Sequence, residues 1–118
     1  MVPAGRSTDA SSPDVLAVLR ALSNAHRLAI MGWLVDPRAH FPAQRDGDLV
    51  EDGVCVGFIT RKIGLTQPTV TTHMQVLAAA GLVTSKRIKN WVFYKSDRAA
   101  LDAAMRALGH SLGSSEVR

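Results

Sequence analysis

The chain has 118 residues, 47% of them hydrophobic and 20% charged, with a net charge of +4 and a pI near 9.8. That length suits one domain around one modest core, and the mix is that of a globular chain rather than a low-complexity one. A single cysteine excludes an intrachain disulfide, no apolar run approaches the roughly 20 residues that cross a bilayer, and the opening "MVPAGRSTDASSP" lacks the apolar centre of a secretory signal; a cytoplasmic protein with no membrane partner is expected.

Residues 1–12 are rich in Ser, Gly and Pro and read as a disordered tail, and 113–118 as a C-terminal tail, which leaves 13–112 as the folded domain. In "SPDVLAVLRAL", Ser12 is the expected N-cap, Pro13 takes the first helical position, and Asp14 complements the positive helix end. Val15, Leu16, Leu19 and Leu22 make that helix's apolar stripe. Ser23 or Asn24 caps a second helix, "AHRLAIMGWLV", with Leu28, Ile30, Met31 and Leu34 mostly inward; Asp36-Pro37 ends it. The polar connection from Pro37 to Gly53 is longer than an ordinary helix-to-helix link, which marks it as functional, mobile or both. "VCVGFITRKIG" is a short extended lead into a third helix that Gly64 stops. Thr66 then caps a fourth, with Pro68 in its first turn, Val70, Met74, Leu77 and Ala78 facing the core, and Gly81 past its end. Two β-rich runs, "LVTSKRI" and "WVFYKS", flank Lys89-Asn90, where Asn supplies the left-handed conformation of a tight hairpin. The last helix runs from its cap Asp97 to about Leu112, with a stripe of Leu101, Ala104, Met105, Leu108 and Leu112.

A short helix joined by "GLT" to a longer one, with a basic hairpin next, is a helix-turn-helix followed by a wing. The fourth helix is odd on its own. Thr69, Val70, Thr71 and Thr72 are four β-branched residues in a row, and no full charge lies between Gln67 and Ala80. Glu or Lys would serve a merely solvated face better. Laid in a DNA major groove, the same face makes sense: Gln67, Thr69, Thr71, Thr72 and Gln75 are the candidate base contacts. From Gly53 to Ser96 there is no Asp or Glu, whereas "DGDLVED" just before is acidic. Arg61, Lys62, His73, Lys86, Arg87 and Lys89 are therefore the candidate phosphate contacts.

"LTQPTVTTHMQVLAAAGLVTSKRIKNWVFYK" resembles the signature of ArsR-type winged-helix repressors, and "LRALSNAHRLAIMGWL" is similar to that family's entry into its second helix. The resemblance spans about Val15 to Leu108. It implies a mainly α fold with a β-hairpin wing, and a homodimeric regulator, usually a repressor, on a palindromic operator in double-stranded DNA. The terminal helices would form the dimer interface, through Val15, Leu16, Leu19, Leu101, Met105, Leu108 and Leu112; the same stripes also suit the core of one chain.

Many relatives of that kind release DNA on binding metal. One family site is a Cys-Val-Cys run, of which this sequence keeps Cys55 but has Gly57 for the second cysteine. The other, on the last helix, keeps Asp97 and His110 but has Ala99 and Gly113 in the remaining positions. A soft-metal site needs about three or four ligands, so no metal and no cofactor is expected. The alternatives are a metal- or redox-responsive repressor with a sensor site rebuilt from His40, Cys55 or His110, and a winged-helix protein-interaction module without DNA binding. His26 reads as a residue that caps or packs at the second helix, and Cys55 as a small buried side chain. No triad order, phosphate-cradling loop or metal cluster points to an enzyme.

Overall fold

The computed structural model describes residues 14–113, and its first helix, α1 (Val15–Leu22), starts at Asp14. An Asp14 side-chain oxygen accepts the Ala17 N–H at 3.1 Å, so Asp14 is the cap that the sequence led us to place at Ser12. Ser12, Pro13, the whole expected N-terminal tail 1–12, and residues 114–118 of the expected C-terminal tail 113–118 lie outside the described residues. The apolar stripe expected on α1 is also corrected. Val18 and Ala21 are buried and Leu22 is half-buried, while Leu16 and Leu19 remain 63% and 40% exposed. The 3.6-residue period allows α1 to turn only one of these lines toward α2 and α4.

The second helix, α2 (Ala25–Val35), is capped by Asn24, whose side-chain oxygen accepts from His26 and Arg27 at 3.0 and 3.1 Å. Ile30, Met31 and Leu34 are buried as expected; Leu28 is 58% exposed, on the opposite side. A 3-10 turn at Pro37–Ala39 opens the long connection, which is anchored: Pro37, Phe41 and Leu49 are buried. Gln44 ties it together. Its Nε2 donates to the carbonyls of Gly47 and Gly53, and its Oε1 accepts the Cys55 N–H at 2.7 Å.

The extended lead is strand β1 (Val54–Cys55), and it runs into α3 (Val56–Ile63). After the turn comes α4 (Gln67–Ala79), then β2 (Val83–Ile88), β3 (Trp91–Ser96) and α5 (Arg98–Ser111). Gly64 and Gly81 stop α3 and α4 as expected. Past α4, the N–H groups of Gly81 and Leu82 bond back to Ala78 and Leu77 at 2.9 and 3.0 Å. The sheet has order β1-β3-β2, all antiparallel, so the wing is a hairpin with a third, two-residue strand on β3. In the tight turn Lys89, not Asn90, takes the positive φ, at 56°. Positive φ at the first central residue alone is the sign pattern of a type II′ hairpin turn.

α4 runs through the middle of the fold, packing against α1, α2, α3 and β2. Val70, Met74 and Leu77 are fully buried, with Ile30, Ile59, Val54 and Leu82 around them. Ala78, expected inward, is exposed. Asp97 caps α5 through a 2.9 Å bond from Ala100 N–H. Only Ala104 of the α5 stripe is buried; Met105 and Leu112 are 42% and 76% exposed. The architecture is a winged helix-turn-helix, mainly α with a β-hairpin wing, as the sequence implied.

Candidate nucleic-acid interface

The start of α4 is held by its own side chains. Thr66 Oγ1 accepts the Thr69 N–H at 3.4 Å and donates to Thr69 Oγ1 at 2.9 Å, and Thr72 Oγ1 donates to the Pro68 carbonyl at 3.1 Å. This back-bonding is how β-branched hydroxyl residues settle in a first turn. Thr72 thereby spends its proton inside the helix and offers a methyl and acceptor lone pairs outward. Gln67, Thr69, Thr72 and Gln75 are exposed and Thr71 is half-buried. All five expected base contacts thus reach solvent from one 13-residue helix.

His73, expected against phosphate, has a different neighbour. It is half-buried toward α2, with Nδ1 3.1 Å from an Arg27 terminal nitrogen and its ring 5.7 Å from that of His26. Arginine only donates, so Nδ1 accepts and the ring is neutral with its proton on Nε2. Burial, then the Arg27 charge, then His26 hold the imidazole below its usual range. Arg27 also donates from Nε to the Ala21 carbonyl at 2.6 Å and from its other terminal nitrogen to that of Arg20 at 3.4 Å. One guanidinium thus closes the C-terminus of α1, leaves α2 in its first turn, and braces α4 from behind. No role was expected of Arg27; its place three residues after the Asn24 cap was the available signal.

The wing cations are held by the acidic segment. Lys86 Nζ makes an ion pair with Asp52, Lys89 Nζ with Asp46 at 3.2 Å, and Lys95 Nζ donates to the Glu51 carbonyl at 3.2 Å. Asp48 and Asp52 hold that segment in a tight turn, accepting the N–H groups of Val50, Glu51 and Asp48. The Lys86 hydrogen bond, followed by that from the Asp48 N–H, keeps the Asp52 carboxyl below the usual carboxylate range. The stretch free of carboxylates in sequence is therefore not free of them in space. Arg87, one residue on and so on the other strand face, has no carboxylate partner among the described residues. On α3, Arg61 lies 5.2 Å over the Phe58 ring and Lys62 5.1 Å over that of Trp33.

The family's metal positions do not fit a metal here. Cys55 is a half-buried lone thiol at the N-cap of α3, and Asp97 is engaged as a helix cap. Among the described residues no group of three or more His, Cys, Asp or Glu side chains is placed to hold an ion. No helix among them is long and apolar enough to cross a membrane.

No protein-family model matches the chain. It is 40% identical over 88 residues to the uncharacterized HTH-type transcriptional regulator YbzH of Bacillus subtilis, covering 75% of this chain and 88% of that one. It is 28% identical over 93 residues to the putative arsenical resistance operon repressor ArsR2 of Halobacterium salinarum, covering 79% of this chain and 66% of that one. Among solved structures, the homodimeric winged helix-turn-helix DNA-binding domain of Mb0332 from Mycobacterium bovis, a possible ArsR-family regulator, superimposes with a TM-score of 0.59. That match has 20% identity and covers 94% of this chain and 88% of the other, and it shares the fold.

Proposed function

The chain belongs to the ArsR-type winged helix-turn-helix transcriptional regulators, and on that premise we propose that it is a cytoplasmic repressor that binds a palindromic operator in double-stranded DNA as a homodimer. The observation that carries this reading is the outward face of α4. Gln67, Thr69, Thr72 and Gln75 are exposed, uncharged and set on a capped, rigid helix start. Gln67 or Gln75 suits a bidentate pair with adenine, and the threonine methyls suit thymine. Arg87, Lys86 and Lys89 on the wing, with Arg61 and Lys62 on α3, are the proposed phosphate contacts. His73 is not carried forward, since Arg27 occupies it.

A dimer is supported by apolar surface. α1 and α5 pack together, and Leu16 and Leu19 of α1, Met105 of α5 and Leu112 just past its end are all more than a third exposed. Such exposed large side chains on adjacent helices suit a second copy. Two α4 helices would then read half-sites about one DNA turn apart.

The ion pairs on the wing favour one other reading, a protein-interaction module without DNA binding, and a gel shift separates the two. Fragments upstream of the gene itself are expected to bind specifically, with an affinity that falls steeply as salt rises. Gln67→Ala should cost about 1–3 kcal/mol at one base position and relax its preference, whereas Arg87→Ala should weaken all sequences alike. Equal, weak affinity for every duplex, or identical behaviour of the two variants, would count against the proposal.

A further inference from the structure

The long connection, α3 and the wing together line a cavity of about 270 Å³ to which α4 contributes no lining residue. Three of its walls are aromatic: Phe58 of α3, and Trp91 and Phe93 of β3. Two are guanidinium groups, Arg45 of the connection and Arg61 of α3. Gln44 fixes the connection's side of the cavity through its bonds to Gly47, Gly53 and Cys55. Lys86 and Lys89 on the wing have carboxylate partners, but neither arginine has one among the described residues. Asp46 also borders the cavity, and its carboxylate is already engaged by Lys89.

Aromatic walls, of which Phe93 is buried and Trp91 half-exposed, and planar cations without carboxylate partners specify a ligand class together. Aromatic faces accept a ring by stacking or edge contact. A guanidinium fork matches a carboxylate in two parallel hydrogen bonds, better than it matches a spherical anion. The volume lies just under the usual range for drug-sized ligands, which points to a single ring. We infer that this cavity binds a small aromatic carboxylate, its ring among Phe58, Trp91 and Phe93 and its charge on Arg45 and Arg61. Such a ligand ties the connection, the helix-turn-helix and the wing to one another and takes Arg61 away from phosphate. That last consequence rests on the DNA-binding reading above; occupancy of the cavity does not.

The test is a titration of the ¹⁵N-labelled full chain with benzoate in the absence of DNA. The Trp91 indole N–H is expected to shift and saturate, while that of Trp33, packed on Phe41 elsewhere, stays in place. Arg45→Gln and Arg61→Gln should each weaken binding roughly tenfold, and benzyl alcohol, with the ring but no charge, should bind roughly tenfold more weakly than benzoate. Both arginines are exposed, so the spectra of the variants should otherwise superimpose on that of the parent. A Trp91 signal that does not move, a shift that chloride reproduces, or equal binding of benzyl alcohol overturns the inference. Because no DNA is present, that result is independent of the operator experiment.

Discussion

α4 and the wing both present polar groups to solvent, yet they hold them by different means. The threonine hydroxyls at the start of α4 are satisfied within four residues: Thr66 with Thr69, Thr72 with Pro68. Those of the wing are satisfied across 34 to 44 residues, by Asp46, Glu51 and Asp52 of the long connection. A helix that contacts base edges must be stiff before the DNA arrives, since misplaced donors lose specificity. Cations that meet phosphates tolerate slack, because a lysine ammonium is a point charge on a flexible stem. The wing cations therefore bear charged partners from the connection, whereas the outward threonines of α4 bear only local ones.

The hardest way to break this contrast is to unseat the connection. Gly53 has φ 104°, and a Cβ there would lie 2.5 Å from the Tyr94 carbonyl oxygen, against backbone that has little room to move. Gly53→Ala should cost about 3 kcal/mol of stability in urea denaturation. Amide exchange should rise in β1 and the wing more than in α4, whose caps are local. A uniform rise along the chain would mean that the two regions are not separately held.

A gentler change sharpens the same contrast. Asp46→Asn and Asp52→Asn together keep shape but free Lys89 and Lys86. Surface ion pairs of this kind hold by about 1 kcal/mol or less, so duplex DNA can displace them, and removing the carboxylates also removes repulsion toward phosphate. Operator affinity should rise between threefold and tenfold, on the order of what two surface charges contribute, and the salt slope should steepen by about 0.9 for each new phosphate contact. Asp102→Asn, which frees Arg98 on α5, should change neither. If the double variant binds no better than the parent, the acidic turn is not a competitor for the wing.

Most of the fold was legible because its signals are local. Thr66, Asp97, Gly64 and Gly81 each act within one turn of helix, and the hairpin runs flank a two-residue link. Failures arose where two solutions have the same local appearance. α1 offers two apolar lines, and only α2 and α4 decide that Val18 and Ala21 go inward and Leu16 and Leu19 outward. Lys89 takes the strained φ because the hairpin twist requires it at that position, whatever the residue prefers. The acidic and basic blocks were both visible, but their pairing is a tertiary fact: Asp52 and Lys86 meet only because β1 returns along β3. His73 was singled out in the sequence but Arg27, 46 residues away, was not, and nothing local joins the two.

That last pair gives the smallest expected effect, and its sign is fixed by which state takes the proton. In the folded chain burial, Arg27 and His26 disfavour the His73 imidazolium, so its pKa lies below the usual 6.5. Unfolding restores the ordinary value. As pH falls through about 6.5, the unfolded chain binds a proton that the folded chain refuses, so stability declines until the folded-state value is passed. Above that window the term vanishes, because both states are neutral. His73→Gln keeps an acceptor for Arg27 but does not titrate, so the difference between parent and variant in urea denaturation from about pH 7 to 5 isolates this one group. The parent should lose stability faster than the variant over that range. If the parent instead gained stability relative to the variant as the solution was acidified, the folded chain would be holding a charged ring, and Arg27 could not be donating to its Nδ1.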